Sequence, residues 1–413
     1  MIMLSQQQRI FFEFLRFCIG TVQEVPSSLK GADWRVLYAM ARKQCLVGVL
    51  FDGIKRLPAD VGMDKGLLFQ WMAQNQTLRK ANARLDKAAV EVAEWFGRKG
   101  FRTCVLKGQG NALLYPPGME RTPGDIDLWV EGGDRKVVSF VRSLSPDEKV
   151  CYHHIGFPEY NGVEVEVHFR PSFLFCFRHN RRLQGYYERV MDEQFAHRVK
   201  LGEQGEVAVP KAEFNLIFQL THIFTHLMNE GIGLRQLLDY FFVLKNTDFI
   251  GNTDGDGFLL NTNCSDNTDK FSGSAEKHSG DWGDSCSSIL GSDSSELTDG
   301  VDRRLLRDEL RRLGLWEFAG AVMYIMKEVF GLEDNRLIVP PDVKRGRLVL
   351  KEALEAGNFG QYDKRNWFGH SALGHNLQRL YRDMRLVRFF PAEALSEPFF
   401  RIWHFFWRKR IVR

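Results

Sequence analysis

The stretch Glu120–Gly133, ERTPGDIDLWVEGG, sets two carboxylates, Asp125 and Asp127, one residue apart in an otherwise apolar run. Alternate side chains of a strand share a face, so the two acids project together. Ile126, Leu128, Trp129 and Val130 argue that this strand is buried. Two like charges cannot be buried side by side cheaply; a positive group must offset them. What supplies that charge decides the fold and the chemistry.

One answer is metal. Two carboxylates at this spacing can grip a pair of divalent cations, and hard oxygen donors suit Mg²⁺ or Mn²⁺ bound jointly to a triphosphate. A third acid from a neighbouring strand completes such a site, and Glu166 in VEVEVHFRP (163–171) is the candidate. Glu164 shares its face, but Glu166 lies deeper, between Val165 and Val167. Upstream, VLKGQGNALLY (105–115) ends a strand at Lys107-Gly108 ahead of a helix. Glycine lets the backbone approach a phosphate, and the N–H groups of a helix start attract anions. Lys107, Gly108 and Arg121 are the predicted nucleotide-binding residues. As structural alternatives, Lys107 and Arg121 simply pair with the acids.

The surrounding sequence predicts an α+β fold, a small mixed sheet between N- and C-terminal helical regions. Residues 1–98 read as helical. They include DWRVLYAMARKQCLVGVLFDGI, led by a capping aspartate, and a long helical pattern that stops at Gly100. Residues 99–200 form the α/β core, in which Asn161-Gly162 separates two strand-like runs as a hairpin turn. Residues 201–245 are helical again. Residues 246–300 are dominated by Asp, Ser, Gly, Asn and Thr, with Lys270 and Lys277 as their only Lys or Arg residues. Such a segment buries too little apolar surface to offset its ordering entropy and is predicted to be a disordered insertion. Residues 301–413 are helical.

Composition narrows the class. Lys and Arg total 56 against 52 Asp and Glu, a balance that gives no reason to expect nucleic-acid binding. The seven cysteines (18, 45, 104, 151, 176, 264 and 286) form no C-x-x-C pair, which predicts a reducing, cytoplasmic setting without disulfides or structural zinc. No window is long and apolar enough for a membrane span, and the first twenty residues read as an amphipathic helix.

With these segments in order, the chain resembles a bacterial nucleotidyltransferase family often encoded beside surface-polysaccharide genes, within the DNA polymerase β-like superfamily. The likeness rests on LKGQGNALLYPPGMERTPGDIDLWV, VEVEVHFRP and HIFTHLMNEGIGLRQLLDYFFVL, roughly residues 80 to 245. It implies that Asp125, Asp127 and Glu166 bind two Mg²⁺ or Mn²⁺ ions and carry catalysis, with Gly108 in the phosphate loop. Lys107-Gly108 stands where the superfamily usually has Gly-Ser, and Glu166 where Asp is common. The implied reaction moves a nucleoside monophosphate from an NTP such as ATP to an acceptor hydroxyl or phosphate, releasing pyrophosphate. The family setting points to a small-molecule or sugar-phosphate acceptor in polysaccharide biosynthesis. A protein acceptor that receives AMP, or a nucleotide-binding module without turnover, are the alternatives.

Other features read as structure. His222 and His226 share a helix face but lack the glutamate of H-E-x-x-H, so core or interdomain hydrogen bonding is expected. Arg235 and Asp239, four apart, are placed to pair along their helix, with a role for Arg235 at nucleotide or acceptor as the functional alternative. NTDGDG from Asn252 echoes a calcium loop but lacks its closing glutamate. The tail PFFRIWHFFWRKRIVR predicts an amphipathic helix packed on the body, with a peripheral membrane or partner contact as the alternative.

Overall fold

Caps and apolar periodicity start the chain. In the computed structural model, which describes residues 4–58, 61, 63–250, 300–365 and 372–412, helix α1 (Gln6–Cys18) opens at Ser5. The Ser5 hydroxyl accepts from the Gln8 N–H while the Gln8 side chain accepts from the Ser5 N–H. Helix α2 (Trp34–Lys43) begins at the expected capping aspartate, Asp33, which accepts from the N–H groups of Arg35 and Val36. Helix α3 (Val47–Ile54) follows. Helix α4 (Lys65–Arg98) has 34 residues and so runs roughly 50 Å, enough to serve two cores. Its Trp71 and Leu78 join the helical core, and its Leu85, Ala89, Val92 and Phe96 join the core beneath the sheet.

The sheet holds β1 (Thr103–Val105), β2 (Ile126–Val130), β3 (His154–Tyr160) and β4 (Val163–His168) in the order β1-β2-β4-β3. Strands β1 and β3 run antiparallel to their neighbours, while β2 and β4 are parallel. The single-turn helix α5 (Gln109–Ala112) lies between β1 and β2, and α6 (Gly133–Leu144) follows β2. Asn161 and Gly162 both take positive φ, 52° and 71°, at the predicted hairpin turn. Alternation divides the residues of the sheet between two faces. Ile126, Leu128, Val130, Val165 and Val167 pack with Val137 and Val141 of α6, while Trp129 turns the other way and stacks on Phe214.

That second face meets the helical body. Helix α7 (Phe177–Ala196) leads to the hairpin β5 (Arg198–Lys200) and β6 (Glu206–Ala208), then to α8 (Ala212–Asn229) and α9 (Leu234–Asn246). Strands β7 (Phe249–Ile250) and β8 (Val301–Asp302) pair in parallel. Helices α10 (Arg303–Leu313), α11 (Trp316–Glu328), α12 (Val343–Ala356), α13 (Ala372–Leu386) and α14 (Pro391–Ile411) complete the chain. The architecture is α+β, as expected. Of the insertion predicted at 246–300, all but 246–250 and 300 lies outside the described residues, as does the calcium-like NTDGDG. Among the described residues no helix is long and apolar enough to cross a membrane.

Candidate active site

The acids of the opening stretch converge, and the group between them is a lysine. Strand β2 begins at Ile126, so Asp125 sits one residue ahead of it rather than within it. Lys107, just beyond β1, points its Nζ to 2.7 Å from Asp127 Oδ2 and 3.9 Å from Asp125 Oδ1. Asp127 lies in register with Glu166 on the adjacent parallel strand. Alternation therefore turns both carboxyls to the face that carries Trp129. Asp127 is only 2 % exposed, Glu166 is half-buried, and Glu164 reaches solvent.

Sequence reasoning did not single out the histidines that complete this cluster. His168 Nε2 stands 2.9 Å from Asp127 Oδ1 and 3.4 Å from Glu166 Oε2. His154, opposite His168 in β3, places Nδ1 3.4 Å from the same Glu166 oxygen. His153 meets both rings edge-on. The signal for His168 was present: two residues past Glu166, it must share that residue's face. Ligand atoms of Asp127, Glu166 and His168 all lie within 4.8 Å of one another, as do those of His153, His154 and His168.

Burial opposes every charge here, and neighbours decide each outcome. It pulls Lys107 down, yet the carboxylates of Asp125, Asp127 and Glu166 hold that ammonium above the usual lysine range. It raises Asp127, but the charge of Lys107 and the hydrogen bond from His168 bring the carboxyl below its ordinary value. The same His168 bond, with charge from His154 and His168, overcomes burial to hold Glu166 at about 2. His168 is pushed up to about 9 by Asp127 and Glu166 against burial, so it is an imidazolium at neutral pH. Burial keeps His154 at about 4 and His153 well below the normal histidine range, so both are neutral there.

The predicted cations divide in role. Arg121 gives Nε and Nη2 to the two oxygens of Asp239, each at 2.8 Å, and Tyr115 donates to Oδ1 at 2.7 Å. The expected pair between Arg235 and Asp239 along α9 does not form, because Arg121 reaches across from the loop before β2 and takes the carboxylate in a bidentate grip. Arg235 instead donates from Nη1 to the Thr122 carbonyl at 3.1 Å and lies over the Phe359 ring. Its Nε is buried without a hydrogen-bond partner. Burial, followed by the charge of Arg121, lowers its pKa. A Cβ placed on Gly124 would lie 3.5 Å from Arg235 Nη1, so this guanidinium flanks the loop that carries Asp125.

Arg235, Lys107, Gly108, Asp125, Asp127 and His222 line one cleft between the sheet and α8–α9. Gly108 holds φ +61° with ψ −107°, a conformation that favours glycine, and its position would bring a Cβ to 3.5 Å from the Asp125 carbonyl. Helix α5 is too short to act as an anion site, so Gly108 shapes the turn that aims Lys107. His222 is buried against Phe218 and His226, and His226 Nδ1 meets Glu230 Oε1 at 2.5 Å.

The sequence matches the model of a family described as uncharacterised nucleotidyltransferase over residues 30–255, more than half of the chain. The chain belongs to that family. No curated protein matches. A solved structure, an antigenic nucleotidyltransferase-like protein from Paracoccidioides brasiliensis, is similar at 15 % identity over 39 % of this chain and 75 % of that one, with a TM-score of 0.26. A likeness that slight carries no weight for the site.

Proposed function

We propose that this cleft transfers a nucleoside monophosphate from an NTP to an acceptor oxygen with divalent metal. The observation that carries the proposal is the convergence of Asp125 and Asp127 on Lys107 Nζ in a cleft that also holds Arg235, with Glu166 in register beside Asp127 and tied to it through His168. The donor set fits Mg²⁺ or Mn²⁺: hard carboxylate oxygens, with Asp127 and Glu166 held ionised by their neighbours. Asp125, Asp127 and Glu166 would hold the ions, which when bound neutralise phosphate charge and lower the proton affinity of the acceptor oxygen.

The chain's own groups position the reactants. The acceptor oxygen attacks the α-phosphorus, a new P–O bond forms, the bond to the bridging oxygen of the β-phosphate breaks to release pyrophosphate, and the proton of a hydroxyl acceptor leaves to solvent. With metal held by Asp125 and Asp127, Lys107 would be released from them and its ammonium would face the phosphates. Arg235, whose Nε has no protein acceptor, takes a non-bridging phosphate oxygen. At about 2, Glu166 is an ionised oxygen donor rather than a proton acceptor. His168 fixes Asp127 and Glu166 relative to each other. Arg121 holds α9, and with it Arg235, against the loop before Asp125. Catalysis of this kind consists of positioning and charge stabilisation.

A thermal-shift screen of the four NTPs, with and without Mg²⁺, tests the reading. A ligand bound only by the native state raises apparent stability. At least one NTP is expected to raise Tm in the presence of Mg²⁺ and to lose most of that effect with EDTA. No shift with any nucleotide would refute it.

A further inference from the structure

The C-terminal helix carries a second apolar face that the fold does not use. The inner face of α14 is spent on the body. Phe400 stacks on Phe173 at 5.3 Å and 12°, and Trp407 lies beside Phe169 and over Arg170. On the outer face Leu395, Phe399, Ile402 and Phe406 recur at spacings of four, three and four residues, one stripe of a helix, and are 60 to 68 % exposed. Helix α13 packs antiparallel beside it, with Asn376 bonded to Arg401 and Arg379 close to Glu397, and adds exposed Leu380 and Met384. Scattered exposed hydrophobics need no explanation, but a contiguous stripe of large ones marks a contact surface.

Charge identifies what covers it. From Pro398 to Arg413 the sequence holds no Asp or Glu, and the stripe runs into Arg408, Lys409 and Arg410. Lys409 and Arg410 are exposed, and the Lys409 ammonium lies 4.3 Å over the Phe405 ring. A helix of 21 residues with hydrocarbon and aromatic side chains outward and cations at one end fits an interfacial helix, whose apolar side enters the headgroup boundary. Its cations reach the lipid phosphates along their own methylene stems. We propose that α14 docks the protein peripherally on an anionic lipid surface. The proposal stands independently of the catalytic reading.

Vesicle flotation of the full chain tests it, with phosphatidylcholine alone or mixed with phosphatidylglycerol. The wild-type chain is expected to float with the anionic vesicles and to stay behind with phosphatidylcholine alone. Tryptophan fluorescence, which includes the half-exposed Trp403, is expected to shift to the blue on binding. Phe399→Ser/Phe406→Ser is expected to weaken binding by about tenfold or more with unchanged Tm. Lys409→Ala/Arg410→Ala is expected to weaken binding and flatten its salt dependence. Equal behaviour of the wild-type chain with both vesicle types, or binding to neither, contradicts the proposal. So does a wild-type dimer that the phenylalanine variant converts to monomer, because the stripe is then a protein interface.

Discussion

Lys107 Nζ and Asp127 Oδ2 lie 2.7 Å apart, with Asp127 buried and Lys107 nearly so. The lysine therefore neutralises the acids that are proposed above to hold divalent cations. Lys107→Ala should cost about 3 kcal/mol in EDTA, because a buried carboxylate loses a partner. Adding Mg²⁺ should recover much of that loss. Chemical denaturation in the two buffers checks this, and an equal deficit in both would separate Lys107 from the metal site.

Arg121 and Arg235 should part company. Arg121→Ala leaves Asp239 buried without its cation, with only the Tyr115 hydroxyl still donating to it, and should destabilise by about 3–5 kcal/mol. Arg121→Lys should recover little of this, because an ammonium cannot reproduce the bidentate grip.

Arg235→Ala removes a buried cation that has no carboxylate hydrogen-bonded to it, so stability should change by less than about 1 kcal/mol. NTP affinity should fall by about ten- to a hundredfold, the worth of a charge-assisted phosphate contact. Denaturation midpoints beside nucleotide titrations resolve the two effects.

The α13–α14 junction predicts a pH dependence away from the cleft. Burial, and then the neighbouring Glu397, push Asp383 up to about 8 from an ordinary 3.8. Between those values the folded state holds a proton that the unfolded chain releases. Stability at this site is therefore full below about 4 and falls as pH rises through 8. Asp383→Asn should remove that slope, measured as the difference in Tm between variant and wild type across the window.

The legible parts of this molecule are those fixed by local pattern. Alternation set Asp125 with Asp127 and Glu164 with Glu166, Asn161-Gly162 marked the hairpin, and Asp33 marked a helix start. The sequence also displayed Lys107 next to Gly108, but whether it meets phosphate or the acids depends on a strand order that no local pattern encodes. The partner of Asp239 was misread for the same reason. Arg235, four residues away, competes with Arg121, far off in sequence but brought close by the loop before β2, and the bidentate geometry of Arg121 wins. His154 became part of the site only through pairing of β3 with β4.

The most direct test of the central claim is pyrophosphate release from NTPs by wild type and by Asp125→Ala/Asp127→Ala, with and without Mg²⁺. Wild type should release pyrophosphate only with the metal, and the double variant should release none while retaining its fold. Identical behaviour of the two proteins, with nucleotide bound but none consumed, would contradict the account and leave a nucleotide-binding module in place of an enzyme.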